Sequence, residues 1–195
     1  MTCIIFTFSF HACKPLICNT IHASNTNIYV FFHASWEEFF ESQEIEENIS
    51  IINQDTTIQT ARNYNIFDSV FKKIHCSRAI HVSANSPKYI LIESSSFQDV
   101  CSGDNDGGGA IFATHCYTVQ NRVCGNNCSI SSGRGTFSVV TGERGFLISS
   151  SIINCGINKK GQSTFCTVRC FTNISQSNVS HCKSETLIIQ KMLHF

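Results

Sequence analysis

The sequence predicts an all-β chain wound as a single-stranded, right-handed parallel β-helix of about five to six coils with a short N-terminal capping helix. Three observations predict it. A glycine corner leading into a strand recurs as Gly107-Gly108-Gly109-Ala110-Ile111, Gly133-Arg134-Gly135-Thr136-Phe137 and Gly161-Gln162-Ser163-Thr164-Phe165, with leading glycines 26 and 28 residues apart. A column of large apolar residues, Phe71, Phe97, Val123, Ile152 and Val179, keeps a similar register at intervals of 26, 26, 29 and 27. β-Branched and aromatic runs of three to five residues alternate with polar corners, and helical periodicity is nearly absent.

Each observation has a physical reason. A glycine, a small residue and then a large apolar residue suit a chain that leaves a tight corner and re-enters a strand facing a core. A second sign of register comes from the serine triplets at 94–96 and 149–151, which stand 55 residues apart, two periods. Leucine-rich repeats have a comparable period but need a leucine scaffold, and this chain has five Leu. Short runs such as Ile90-Leu91-Ile92, Ala110-Ile111-Phe112 and Thr136-Phe137-Ser138-Val139 instead fit strands that pair in parallel with the next coil at roughly 4.8 Å. Parallel crossovers are right-handed almost without exception, which sets the expected hand.

Ile90-x-Ile92, Phe97-x-x-Val100 and Gly108-Gly109-Ala110-Ile111 resemble the GGAI and FxxN repeats of polymorphic outer-membrane proteins, within the pectin-lyase-like parallel β-helix architecture. The likeness covers residues 64–190 or so. Ile74 and Val100 stand where FxxN has its Asn, and only the first glycine corner reads as a full GGAI. The resemblance implies a repeat segment of a surface protein.

At 195 residues and 42% apolar content the chain can bury one sizeable core, so one domain is expected. Residues 1–60 would hold N-terminal strands, the helix and an irregular first coil, and residues 61–195 the regular repeats. Formal net charge is zero, yet residues 1–60 carry −6 (one base, seven acids) and residues 61–195 carry +6 (thirteen bases, seven acids). Neither half has a basic run interleaved with aromatics, so nucleic acid is not an expected partner.

Residues 3–10 are mostly apolar, but no Lys or Arg precedes them and no small-x-small site follows, so a signal peptide is not convincing. Phe6, Phe8 and Phe10 alternate with Thr7 and Ser9, as in a half-buried strand. No stretch reaches the ~18 apolar residues of a spanning helix, so no transmembrane segment is expected. A second strand follows over Asn27–Phe32. Ser35 before Trp36-Glu37-Glu38 forms a capping box, with Trp36, Phe39 and Phe40 on one face and Glu37, Glu41 and Glu44 away from it. That helix is expected to close the open end of the stack, the alternative being an acidic docking surface.

Asn48–Ala61 reads as a shorter first coil, and regular coils begin near Ile66, Ile90, Tyr117, Gly145 and Phe171. Cys124 could replace Val123 in the apolar column, and Ile153 could replace Ile152; such a slip reverses which side chains face the core. The last coil runs through Thr186-Leu187-Ile188-Ile189-Gln190 to residues 191–195 without a visible capping element. Exposed strand edges there predict end-to-end association.

The chain has twelve Cys. Cys76, Cys101, Cys128, Cys155 and Cys182 recur three to five residues after the apolar column, and two readings stay open: small buried hydrophobes, or disulfides between coils in an oxidising compartment. His75-Cys76, His115-Cys116 and His181-Cys182 are adjacent pairs, which point to opposite faces of a strand and seldom share an ion. Asp104-Asn105-Asp106-Gly107 lacks the spacing of a calcium loop. Of the scattered carboxylates, Glu93 and Asp99 are the least implausible acid–base pair, and the signatures of polygalacturonases and pectate lyases are absent. No catalytic, cofactor-binding or metal residue is therefore assigned, and no cofactor is expected.

Four glycosylation sequons begin at Asn48, Asn127, Asn173 and Asn178. The expected function is a non-enzymatic β-helix segment of a surface or secreted protein, a stalk or an adhesion surface with a protein or glycan ligand on its outer face. The alternative is a polysaccharide lyase or glycoside hydrolase-like enzyme.

Overall fold

A computed structural model describes residues 19–23, 26–30, 35–51, 57–157 and 161–191. Its strands build a parallel β-solenoid with three faces. The first face stacks Glu47–Ile49, Tyr64–Phe67, the ends of the long strands Ile80–Glu93 and Ile111–Asn121, then Arg144–Ile148 and Phe171–Ser175. The second stacks Val70–Lys72, Ser96–Gln98, Cys124–Asn126, Ser151–Ile153 and Asn178–Ser180. The third stacks the beginnings of the two long strands, then Ser138–Thr141, Gly161–Val168 and Ser184–Lys191. Both long strands run from the third face onto the first, and their pairing is broken by a bulge after Ser83 that lets the chain bend.

The chain returns to the first face at Ile90, Thr118, Gly145 and Thr172 after Tyr64, steps of 26, 28, 27 and 27 residues. That makes about four complete turns instead of five to six. The difference lies at the two ends: the pass from Glu47 to Tyr64 is short, and the pass from Phe171 is described only as far as the third face.

Corners are turned by single residues in the left-handed region. Asp68, Ser94, Arg122, Ser149 and Gln176 do so between the first and second faces, and Lys73, Asp99, Asn127, Asn154 and His181 after the second. One such residue redirects an extended chain sharply, so a coil needs no long loop.

Inside, residues in the same place on successive rungs form columns. Phe71 and Phe97 stack with centroids 4.9 Å apart, and Ile152 and Val179 continue the column further on. Between them the register places Gly125, not Val123, which lies two residues earlier at the corner. The vacated volume is filled from across the core: a Cβ on Gly125 would lie 2.6 Å from the Phe137 ring, which meets Phe97 edge-on at 5.7 Å. A spacing argument treats a column as filled by its own residues, and here a neighbour's ring fills it.

The glycine corners line up along one edge of the stack. The Gly109 amide donates to the Gly135 carbonyl at 3.0 Å and the Gln162 amide to Gly133 at 2.9 Å, which ties the segments holding Gly107, Gly133 and Gly161 together. Gly107 and Gly133 have φ of 105° and 98°, and a Cβ on either would sit within 2.3 Å of the other corner's backbone. Only glycine permits that approach. The strands that follow keep steps of 27, pairing Ile111 with Ser138 and Ser138 with Phe165. The middle corner thus holds one extra residue before its strand, and Phe137 falls opposite Ala110 and Thr164. Ser138 then points inward, where the Gln120 side-chain amide donates to it at 2.9 Å.

Near the N-terminus, Asn19–Ala23, not foreseen as a strand, pairs antiparallel with Thr26–Val30, which overlaps the strand expected over Asn27–Phe32 at residues 27–30. The alternating strand expected at Phe6–Phe10 lies outside the described residues. The helix spans Trp36–Phe40, and the Ser35 hydroxyl accepts the Glu38 amide at 3.1 Å. It does not plug the end of the stack. Trp36 and Phe40 pack with Leu91 and Val119 against the outward side of the first face. Ile90 and Ile92 face the interior, so Leu91 between them points out and needs apolar cover.

Candidate functional site

The strand order of the largest sheet runs from Glu47–Ile49 at one edge to Ser184–Lys191 at the other. On interior rungs the core columns are sealed: Ile92, Leu147, Ile152, Cys155 and Phe165 have no exposure. On the last rung their successors Ile174, Val179 and Cys182 are only partly buried, and Ile188, which follows Phe165 in its column, is 41% exposed. Phe171 is 68% exposed. Exposed large apolar side chains, together with backbone groups of an edge strand, make this rung the candidate interaction face.

Charge differs between the two edges. Residues 35–51 carry Glu37, Glu38, Glu41, Glu44, Glu46 and Glu47 and no base. Lys88 donates to Glu46 at 2.9 Å, and Arg62 pairs with Glu47 at 3.3 Å. Its hydrogen bonds to Lys88 and the Asn63 backbone hold the Glu46 carboxyl below its ordinary pKa. The last coil, from Phe171, carries Lys183 and Lys191 against Glu185, and Arg169 stands just before it.

Two columns, one of serines and one of apolar residues and thiols, run inside the corners. Ser69, Ser95, Ser150 and Ser177 each donate their hydroxyl to the carbonyl two residues earlier, at 2.7–3.0 Å. Each also accepts an amide from the coil before: Ile51, Ser69, Val123 and Ser150 respectively, at 2.9–3.2 Å. The middle members of both serine triplets, Ser95 and Ser150, belong to this ladder. The second column is Ile74, Val100, Cys128, Cys155 and Cys182. Cys128, Cys155 and Cys182 thus share one place, whereas Cys76 and Cys101 stand outside it, displaced by two residues and by one. All five are free thiols. Burial pushes the Cys155 thiol well above its ordinary range; a hydrogen bond with Cys155, then burial, raises that of Cys182.

The carboxylates do not assemble into an acid–base pair. Glu93 is 1% exposed and pairs with the Arg122 guanidinium at the end of the first face. Asp99 lies at the corner after the second face, where the Asn127 side chain donates to it at 2.8 Å. Asp104 pairs instead with the buried Arg78 at 2.7 Å, and Arg78 Nε donates to the Gly107 carbonyl at 3.0 Å. Its guanidinium lies 4.4 Å from the Phe112 ring centroid. Arg78 therefore pins the loop before the first glycine corner, a role with no signal in the sequence pattern. Among the described residues no three His, Cys, Asp or Glu gather as a metal site, and no helix is long and apolar enough to cross a membrane.

An outward aromatic row was also not foreseen. Phe40 meets Tyr89 edge-on at 5.3 Å, Tyr89 stacks on Tyr117 at 4.8 Å, and Arg144 lies 5.8 Å from the Tyr117 centroid. Tyr89 and Tyr117 thus turn ring faces toward each other.

Of the residues assigned structural roles, Gly107, Gly109, Gly133, Gly135 and Gly161 lie at the aligned corners. Phe71, Phe97, Ile152 and Val179 lie in one inward column, with Val123 buried beside it. Comparisons with protein-family models, with curated proteins and with solved structures find no match, so the molecule is characterised by its parallel β-solenoid and by the chemistry of its edges.

Proposed function

We propose that this chain is a non-enzymatic structural and interaction element, a solenoid segment that stacks end to end with a second copy of itself. The carrying observation is the last rung, where Phe171 and Ile188 stand exposed beside half-covered core columns. Parallel strand addition to that rung would bury Ile188 and the half-covered core columns, give Phe171 a neighbour in the outward row that runs through Tyr117 and Arg144, and satisfy edge backbone groups together. Charge favours the head-to-tail arrangement: the acidic Glu47–Ile49 edge would meet the rung carrying Lys183 and Lys191, with Arg169 just before it, whereas tail-to-tail pairing would bring bases together. A heterologous contact of this kind generates an open series, as a stalk needs.

Display on a cell surface or in a secretory compartment belongs to the same proposal. Its support is the sequons, of which Asn48, Asn173 and Asn178 are exposed. No observation favours the enzyme alternative, since Glu93 is buried in an ion pair.

Sedimentation velocity over roughly a hundredfold range of concentration, at low and high salt, tests the assembly. The expected result is a ladder of species that grows with concentration, shrinks with salt and collapses to monomer in Ile188→Asp. A chain that remains monomeric at the highest concentration, or a closed dimer indifferent to Ile188→Asp, would refute it.

A further inference from the structure

We propose that Cys155 and Cys182 form a disulfide on exposure to a small-molecule disulfide, tying the last coil to the one beneath it. The placement comes from the rungs. Ser151–Ile153 pairs in register with Asn178–Ser180, so Ile153 lies beside Ser180. Asn154 and His181 then turn the same corner at φ of 55° and 53°. Cys155 and Cys182 follow at equivalent places on adjacent rungs, and the Cys155 amide donates to the Cys182 sulfur at 3.4 Å. Adjacent parallel strands lie about 4.8 Å apart, inside the roughly 4.4–6.8 Å between Cα atoms that a disulfide spans.

Access orders the chemistry. Cys155 and Cys128 have no exposed surface, whereas Cys182 is part-exposed on the last rung. The Cys182 thiolate attacks one sulfur of glutathione disulfide, forming a mixed disulfide and releasing one glutathione thiolate, which takes up a proton. The Cys155 thiol attacks the Cys182 sulfur and passes its proton to the departing glutathione sulfur, which leaves as the second glutathione thiol. Two protein thiols are oxidised and one glutathione disulfide is reduced to two thiols, so atoms and electrons balance. Because both thiols are held above their ordinary range, the rate rises about tenfold per pH unit through neutral and mildly alkaline pH.

This inference does not depend on end-to-end stacking. To test it, the reduced full-length chain is incubated with glutathione disulfide under native conditions, then alkylated and mapped by non-reducing peptide mass spectrometry. A Cys155–Cys182 cross-linked peptide is expected, with a melting temperature raised by roughly several degrees and restored by dithiothreitol. Cys182→Ser keeps a group that can accept the Cys155 amide and donate to the Ser180 carbonyl as the thiol does, so it is expected to fold and to lose both the cross-link and the shift. A Cys128–Cys155 link, persistent glutathionylation of Cys182 without a cross-link, or unreacted thiols in the folded chain would each overturn the inference.

Discussion

A left-handed residue other than glycine costs roughly 1–2 kcal/mol, yet the described coils place one at the same corner each time: Asp68, Ser94, Arg122, Ser149 and Gln176. The next residue supplies the compensation. In four of these five coils it is a serine whose hydroxyl accepts an amide from the coil before and donates to a carbonyl of its own coil, so backbone groups inside a tight turn find partners. Val123 takes this place in the remaining coil and offers no hydroxyl to the Ser95 amide. Ser150→Ala removes the acceptor of the Val123 amide at 3.0 Å and the donor to the Ile148 carbonyl at 2.7 Å, at a site 3% exposed. The expected loss is about 1–3 kcal/mol, read as a lower urea midpoint with an unchanged slope. A midpoint equal to the parent's would show that these corners hold without the hydroxyls.

The helix shows how a local signal can be right about an element and silent about its place. Ser35 and the glutamates after it marked the start of Trp36–Phe40, because capping is settled within one turn. Its docking partners, Leu91 and Val119, lie more than fifty residues away, and nothing local could separate an end lid from a side cover. The same limit applies to Gly125. Its place opposite Phe97 and Ile152 became visible only once the register was known, and the Phe137 ring explains why a glycine is tolerated in an apolar column. Trp36 is 4% exposed, and its indole donates to the Gln43 carbonyl at 2.5 Å. Trp36→Ala is expected to cost about 3 kcal/mol, since it uncovers Leu91 and Val119 without disturbing the strand pairing beneath. Hydrogen exchange checks where the cost falls: faster exchange at residues 38–43 with the second face still protected supports a separable cover, and uniform loss of protection argues that the helix is integral to the stack.

At the scale of the molecule, the period was legible because stacking imposes it on every coil: glycine corners and apolar residues pointed to the solenoid, whose register aligns Phe71, Phe97, Ile152 and Val179 with Gly125, not Val123, between them. The glycine spacing of 26 and 28 against strand steps of 27 shows where legibility stopped, since an extra residue in one corner is invisible until hydrogen bonds define the strands. The candidate interaction face was legible only as an unclosed last coil; the contrast between Ile188 and the sealed Phe165 needed coordinates. A stack of near-equivalent coils makes a further demand. If each coil contacts chiefly its neighbours, removal of one whole period must leave a foldable chain, and removal of any other length must not. Deleting Gly145–Phe171 joins Arg144 to Thr172, residues whose partners in the stack are consecutive: Arg144 pairs with Tyr117 and Phe171, and Thr172 with Gly145. Thr172 then replaces Gly145 beside Thr118, Val179 replaces Ile152 beside Gly125, and Ile188 replaces Phe165 beside Ser138. This shortened chain is expected to unfold cooperatively in urea with a smaller slope, in proportion to the surface it no longer buries. Deleting one residue fewer turns inward side chains outward along the remaining last coil and is expected to abolish the protection of residues 172–191 in hydrogen exchange. Equal behaviour of the two deletions would mean that rung register does not hold this molecule together.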